Sequence, residues 1–138
     1  EWGRPDMFLF KLFKAFHNKD FFYLNNAGKH KRDFTYIKDA VLFTKKILFT
    51  KKFKKQNLVF NICSNNPVQI NKIVDFFHKE IGKVKIKNIK RNRLDVKDTH
   101  GNNLLVKRFT KFNKFTNYKD GILNSYKWYK ESKIFKIK

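Results

Sequence analysis

The sequence predicts one domain of the α/β or α+β class, and three observations support that class. Its 138 residues suit a single domain, and 41% of them are hydrophobic, which is enough to form a core. Apolar patterns typical of helices and of strands alternate along the chain. With only five Gly and two Pro, the composition argues against disorder, and the elements alternate without a clear linker.

The N-terminal part predicts a helix, a strand and a turn. A helix is expected over residues 5–19, because Pro and Asp open it and its apolar residues recur at i, i+3, i+4 and i+7: Leu9, Leu12, Phe13 and Phe16. Residues 21–25 (FFYLN) are typical of a strand, and the Asn-Ala-Gly that follows is typical of a turn. Residues 33–37 form a short run that also resembles a strand.

The central part predicts a lysine-rich helix from residue 37 to about 53, with Val41 and Leu48 facing inward. An apolar strand is expected over residues 58–62 (LVFNI). Pro67 is predicted in the first turn of the next helix, after an Asn-Asn pair suited to its N-cap. The apolar residues of that helix repeat at helical spacing until Gly82 ends it.

The C-terminal part is more polar. Residues 83–89 (KVKIKNI) alternate as a half-buried strand does, and residues 91–99 predict a polar loop. A short helix is expected over residues 103–109, and a last one from residue 120 to about 132.

The net charge of +22 first suggests a partner that is a nucleic acid or an anionic membrane. The choice of residues weakens that interpretation, because 28 of the 33 basic residues are Lys, whereas Arg is the residue suited to bidentate phosphate contacts. Lys, Asn, Phe and Ile, which all have A/T-rich codons, make up 71 of the 138 residues. This composition favours codon bias over a selected polyanion-binding surface as the source of much of the charge.

Several kinds of site are disfavoured by spacing. The four His are far from one another and from Cys63, so no metal site is expected. The single cysteine excludes an internal disulfide framework and fits a reducing cytoplasm. No apolar run reaches the length of a membrane span. Tyr-x-x-x-Lys occurs twice in the last helix, at Tyr126/Lys130 and Tyr129/Lys133, where about one match is expected by chance. Both tyrosines are expected to be packing residues, and the lysines to be solvated.

A series of motifs, in the same order as in the family, resembles the C-terminal part of the extended short-chain dehydrogenase/reductase family. Residues 3–7 are Gly-Arg-Pro-Asp-Met, and residues 32–37 are Arg-Asp-Phe-Thr-Tyr-Ile. Residues 60–68 (FNICSNNPV), the Asp-Val-x-x-Thr of residues 95–99, and the closing helix at residues 121–129 follow. Within the family, the sequence is most similar to nucleotide-sugar epimerases that act on UDP-glucuronate. It departs from their motifs at Lys38, Cys63 and Leu94.

The resemblance implies a fold and an activity. Residues 1–138 would be the C-terminal UDP-sugar-binding portion of an extended Rossmann-type epimerase, without the N-terminal dinucleotide-binding sheet. Family members hold NAD, and a catalytic Tyr and the cofactor oxidise and reduce C4 of the sugar. The family's NAD-binding motif and its catalytic Tyr-x-x-x-Lys lie in the N-terminal half, which this sequence does not match. The chain alone is therefore expected to be inactive and to bind no NAD tightly, and the complete enzyme is expected to be a homodimer.

The resemblance also implies the binding residues. Arg32 matches the arginine that grips the pyrophosphate, and Arg4 matches one near the sugar carboxylate. Lys11 matches a basic position that meets the phosphates, and Asp95 matches the acid that approaches the uridine ribose. Charge-assisted hydrogen bonds suit these tasks.

Two alternatives remain open at this point. One is a basic nucleic-acid-binding module, which would carry lysines interleaved with exposed aromatic residues on one face. The other is a gene fragment without a function.

Overall fold

The computed structural model describes residues 3–50, 57–91 and 95–132. Within them the chain forms five α-helices, four short strands and one 3-10 turn, Asn26–Gly28. In chain order the helices are α1 (Phe8–Asn18), α2 (Ile37–Leu48), α3 (Ile70–Glu80), α4 (Leu104–Thr110) and α5 (Tyr118–Glu131). The strands are β1 (Phe21–Asn25), β2 (Lys31–Asp33), β3 (Pro67–Gln69) and β4 (Lys85–Ile89).

The strands form two small sheets. In one, β1 and β4 are parallel, with Phe22 opposite Ile86. In the other, β2 and β3 are antiparallel, with Arg32 opposite Val68. A parallel bridge from Lys31 to Asp98 attaches the segment 95–99 to the free side of β2. This attachment brings the polar loop predicted for residues 91–99 against β2.

The core lies between α1, α3, α5 and one face of β1. Phe13 and Phe77 are completely buried and stack with ring centroids 6.0 Å apart. Tyr129 of α5 packs against Phe13 at 5.3 Å. Phe22 and Leu24 close the core from β1, since alternate strand residues face the same side. Burial of these large side chains is the main favourable contribution to the stability of the fold.

A tight turn after β1 sets the direction of β2. Gly28 has φ of +68°, and a Cβ at this position would lie 2.6 Å from the backbone nitrogen of Asn71 at the start of α3. Only glycine combines that conformation with that close approach. The turn therefore fixes β2 against the start of α3, where the amide of Ile70 donates to the His30 carbonyl at 3.1 Å.

The mixed α/β class is confirmed, as are α1, β1, α3, β4, α4 and α5, with ends shifted by a few residues. The apolar residues predicted to face inward from α1 and α3 are buried or half-buried. Among the described residues, no helix combines the length and apolar character needed to cross a membrane.

The predicted inner face of α2 is wrong. Val41 is 59% exposed and Leu48 is 74% exposed, whereas Phe43 and Asp39 are buried. Phe43 packs between Phe112 and Phe115, at 5.0 and 4.8 Å. Asp39 accepts hydrogen bonds from the backbone and hydroxyl of Thr116, at 2.7 and 2.9 Å. The inner face thus contains a satisfied carboxylate, which an apolar pattern does not detect. The part of this helix predicted over residues 51–53 lies outside the described residues.

The strand predicted over residues 58–62 is also wrong, because this segment has no strand pairing in the described part of the chain. Val59 is 84% exposed. Phe60 is half-buried and contacts the ring of Phe109 edge-on at 5.4 Å. An apolar β-branched run becomes a strand only where a neighbouring strand offers hydrogen bonds.

Two further boundaries differ from the predictions. Pro67 lies in β3 rather than in the first turn of a helix, and the helix begins three residues later, at Ile70. Proline is tolerated there because it is the first residue of a short strand and lies opposite Asp33, the last residue of β2. The strand predicted over residues 33–37 is instead β2, at Lys31–Asp33, because its pairing with β3 ends at Asp33.

Candidate functional site

One cleft of about 670 Å³ brings together the start of α1, the end of β1, β2 and the segment 95–99. All four binding residues suggested by the resemblance line it: Arg4, Lys11, Arg32 and Asp95. They come from three segments that are far apart in sequence. The volume is in the range typical of small-molecule sites.

Arg32 forms most of one wall, which we call the loop wall and define as Arg32, Asp95 and Asn25. The Nη2 of Arg32 donates to Asp95 Oδ1 at 3.0 Å and to the Val96 carbonyl at 2.7 Å. Its Nη1 donates to the carbonyls of Lys31 and Lys97, at 2.9 and 3.0 Å. The guanidinium is half-buried. Arg32 therefore attaches the segment 95–97 to β2 and also lends positive charge to the cleft.

Asp95 is fixed from two sides. Arg32 bonds one carboxylate oxygen, and Asn25 Nδ2 donates to the other at 3.1 Å. Because a carboxylate only accepts hydrogen bonds, the nitrogen of the Asn25 amide must face it. Arg91 also donates to the Asp95 carbonyl at 3.2 Å. Arg93, the second arginine near this loop, lies outside the described residues.

Asp33 supports the cleft from behind. Its carboxylate accepts a hydrogen bond from the Ser64 hydroxyl and further bonds from the backbone amides of Asn65 and Gly101, both at 3.1 Å. Its own amide donates to the Thr99 hydroxyl at 3.2 Å. One carboxylate thus ties β2 to the turn before β3 and to the segment that leads into α4.

The opposite side, which we call the helix wall, consists of Arg4, Asp6 and Lys11. Arg4 donates to both carboxylate oxygens of Asp6, at 3.0 and 2.6 Å. The hydrogen bond from Arg4 lowers the pKa of Asp6, and the same bond raises the pKa of Arg4. All three side chains are exposed. This wall carries cations that an anionic ligand can reach without displacing bonds to the protein backbone.

His30 lies in the cleft between the two walls. Burial lowers its pKa, and the positive charge of Arg32 lowers it further. The imidazole therefore favours the neutral form, in which one ring nitrogen donates and the other accepts.

Other residues considered from the sequence lie elsewhere. Tyr129 is buried in the core and Tyr126 is half-buried, and burial raises the pKa of both phenols. The prediction that they are packing residues is confirmed. Lys133, the second lysine of these patterns, lies outside the described residues. Cys63 is half-buried next to Gly101, and burial raises its thiol pKa, which is unfavourable for a nucleophile.

Sequence reasoning gave no binding role to several other cleft residues, among them Asn25, His30 and Asp33. Asn25 had a signal, since it is a polar residue at the carboxyl end of an apolar strand. Asp33 had none beyond its place in the Arg-Asp-Phe-Thr-Tyr-Ile motif, because its partners Ser64, Asn65 and Gly101 are more than thirty positions away. His30 lies outside the motifs and had no signal in the sequence.

Comparison with known proteins gives the class. No family model matches the chain. Protein CapI of Staphylococcus aureus is 32% identical over 94% of this chain and 44% of its own length. UDP-glucuronate 4-epimerase 4 of Arabidopsis thaliana is 33% identical over 93% of this chain and 33% of its own length. In structure, MoeE5 in complex with UDP-glucuronic acid and NAD matches with a TM-score of 0.85 and 22% identity, over 94% of this chain and 43% of that protein.

The fold is thus the one that part of these nucleotide-sugar enzymes adopts. In sequence, the chain is similar to UDP-glucuronate 4-epimerases, as its motifs predicted. The chain spans less than half of the length of these relatives. This partial coverage is consistent with the C-terminal portion that the motifs predicted.

The related structures hold NAD, but the residues of this chain do not fit that cofactor. A dinucleotide pyrophosphate is cradled by clustered glycines between a strand and a helix, whereas the five glycines here are dispersed, at positions 3, 28, 82, 101 and 121. No step of the chemistry is therefore assigned through NAD to these residues.

Proposed function

We propose that this chain is the UDP-sugar-binding portion of an NAD-dependent nucleotide-sugar epimerase, with residues 1–138 forming that portion. The observation that carries the proposal is the cleft, where cations from two segments and an acid from a third meet. The complete enzyme would interconvert UDP-glucuronate and UDP-galacturonate in the cytoplasm, as a homodimer.

The two walls would take different parts of the ligand. Arg4 and Lys11 are exposed and suit the sugar carboxylate and the phosphates. Asp95 presents a fixed carboxylate that suits a ribose hydroxyl, which can donate to it.

Arg32 would bind the pyrophosphate. In this role its guanidinium exchanges bonds to the carbonyls of Val96 and Lys97 for bonds to phosphate oxygens. The exchange is favourable because hydrogen bonds between two ionised groups are stronger than those to a neutral carbonyl.

The chemistry is divided between this chain and the rest of the enzyme. Bound NAD supplies hydride transfer in such epimerases, whereas the residues here bind and orient the nucleotide so that the sugar reaches the reacting groups. We expect the 138-residue chain alone to show no turnover of UDP-glucuronate, even with added NAD. Turnover by this chain would overturn the division.

Binding is tested by titrating the ¹⁵N-labelled chain with UDP-glucuronate and following amide chemical shifts. Shifts are expected at residues 4–11, 25–33 and 95–99, since these ranges line the cleft. UDP-glucuronate is expected to bind more tightly than inorganic pyrophosphate at the same ionic strength. Equal affinity for both, or shifts spread over all lysines, would show bulk attraction to a basic protein and contradict the proposal.

Matched variants separate the cleft from the surface charge. Arg32→Gln is expected to weaken UDP-glucuronate binding by roughly tenfold or more, as loss of a charge-assisted phosphate contact does. Arg108→Gln removes the same charge from exposed α4, outside the cleft lining, and is expected to leave affinity within about twofold. If the two variants weaken binding equally, Arg32 is not a ligand.

A further inference from the structure

The outer face of the β1–β4 sheet carries aromatic rings in an exposed position. Phe22 and Leu24 of β1 point into the core, so Phe21 and Tyr23 point the other way. They are 54% and 56% exposed. Two large rings on one strand face, both open to solvent, require an explanation, because exposed apolar groups that cluster mark contact sites more often than scattered ones do.

The neighbouring strand places a lysine beside each ring. In the parallel register Phe21 is opposite Lys85, and Tyr23 is opposite Lys87. The Lys85 Nζ lies 5.7 Å from the Phe21 ring centroid, and the Lys87 Nζ lies 5.9 Å from that of Tyr23. These are cation–π distances. We call these four residues the aromatic–lysine face.

The surroundings of this face are strongly positive. Three more exposed lysines flank the two strands along the chain, at positions 19, 83 and 90. Asp20 is the single acid within residues 19–25 and 83–90. The ligand that complements this face is therefore a polyanion.

We propose that the aromatic–lysine face binds single-stranded nucleic acid without sequence specificity. The rings suit exposed bases, since every base has a π-face that stacks on an aromatic side chain, and the lysines suit the phosphates between them. Phe21 and Tyr23 lie two residues apart on one strand, about 6.6 Å along it, so each ring can take a different nucleotide. A duplex hides its base faces, and an acidic peptide would use the lysines without the rings.

This site differs from the cleft. Phe21, Lys85 and Lys87 are not among the cleft residues, although Tyr23 lines both. Phe21 is therefore the diagnostic residue. Because it is exposed, its replacement leaves the core intact.

The test measures binding of a fluorescein-labelled fifteen-nucleotide oligo-dT to the full chain by anisotropy at several KCl concentrations. Phe21→Ala is expected to weaken binding at least about fivefold, the lower end for loss of one base–aromatic stack. The matched control is Phe49→Ala, which removes an exposed phenylalanine at the end of α2 and is expected to change affinity less than twofold. Equal effects of the two variants would overturn the proposal.

The lysines have a separate readout. Lys85→Gln is expected to reduce the slope of log affinity against log salt by about 0.7, the value for one phosphate contact on a single strand. Lys127→Gln, which changes an exposed lysine of α5, serves as the control variant. If both lysine variants reduce the slope equally, attraction to the whole basic surface explains the binding and the proposal fails.

Three further arms decide between ligands. A duplex of the same length is expected to bind more weakly than oligo-dT and to be insensitive to Phe21→Ala. Vesicles of phosphatidylcholine with phosphatidylserine are likewise expected to be insensitive to that variant. A duplex or vesicle affinity that falls with Phe21→Ala would overturn the proposal. A loss of oligo-dT affinity in Arg32→Gln as large as that in Phe21→Ala would also overturn it, since Arg32 lies in the cleft and not on this face.

Discussion

The two walls of the cleft use the same kinds of residue in opposite ways. On the loop wall, Arg32 and Asp95 are bonded to each other. Arg32 also bonds two backbone carbonyls of the segment 95–99, and Asp95 also bonds the side chain of Asn25. On the helix wall, Arg4 and Asp6 are two residues apart, and both side chains are exposed. An ion pair between distant segments shapes the fold, whereas one between sequence neighbours in solvent does not. The loop wall therefore helps to hold the fold together, whereas the helix wall offers exposed charges that a ligand can bind.

The largest expected effect is at Asp33, the carboxylate behind the loop wall. Asp33→Ala removes the acceptor for Ser64 and for the amides of Asn65 and Gly101. Hydrogen bonds to charged groups contribute about 1.5–3 kcal/mol each and are not additive, so we expect a loss of about 3 kcal/mol in the free energy of unfolding. Urea denaturation followed by circular dichroism measures it.

The control for that experiment is Asp6→Ala on the helix wall. Its partner Arg4 is exposed and nearby in sequence, so we expect no measurable change in the denaturation midpoint. The two walls would not differ as described if Asp6→Ala destabilised the chain as much as Asp33→Ala.

A smaller effect is expected for the contact between Arg32 and Asp95. In a double-mutant cycle with Arg32→Gln and Asp95→Asn, the interaction energy is expected to be about 1 kcal/mol, because the pair is only partly buried. The same cycle with Arg4→Gln and Asp6→Asn is expected to give no measurable coupling.

The cycle also tests the attachment of the segment 95–99. The Thr99 amide donates to the Lys31 carbonyl at 3.2 Å, so its hydrogen exchange reports whether the segment stays on β2. Faster exchange of this amide in Arg32→Gln is expected. Unchanged exchange would mean that the bridge from Lys31 to Asp98 holds the segment without Arg32.

The sequence predicted the elements whose stability is local or whose apolar face is continuous. Helices α1 and α3 were predictable because their buried residues follow the helical period without a polar interruption. The face of α2 was not predictable, since buried Asp39 depends on Thr116, which is 77 positions away. The strand predicted over residues 58–62 was wrong because a local apolar pattern does not supply the neighbouring strand that must pair with it.

For the cleft, the motifs predicted which residues bind the ligand but not the contacts that those residues make. Arg32, Asp95, Arg4 and Lys11 line one cleft, and their role as ligands remains a prediction. The sequence contained no sign that Arg32 is bonded to a loop while Arg4 is in solvent. That distinction arises from the attachment of residues 95–99 to β2, which depends on long-range hydrogen bonds.

The smallest expected effect is a change in the pKa of His30, a cleft residue whose pKa depends on the charges of the loop wall. Burial lowers its pKa first, followed by the charge of Arg32; Arg91 lowers it as well, while Asp95 and Asp98 raise it. The unfolded chain therefore binds a proton at higher pH than the folded chain. The stability linked to this group is present above the unfolded pKa of about 6.5 and is lost as the pH falls from there through the folded pKa.

Arg32→Gln is expected to raise the pKa of His30 only part of the way to its ordinary value, because burial, the larger cause, remains. The measurement is the pH dependence of the His30 imidazole signals by NMR. His17 is the internal control, since its pKa is lowered by burial and by Lys130, away from the cleft, and it is expected not to respond. A His30 pKa unchanged in Arg32→Gln would mean that the guanidinium is screened from the cleft interior, and the loop wall would then hold its shape without setting the charge that a ligand meets.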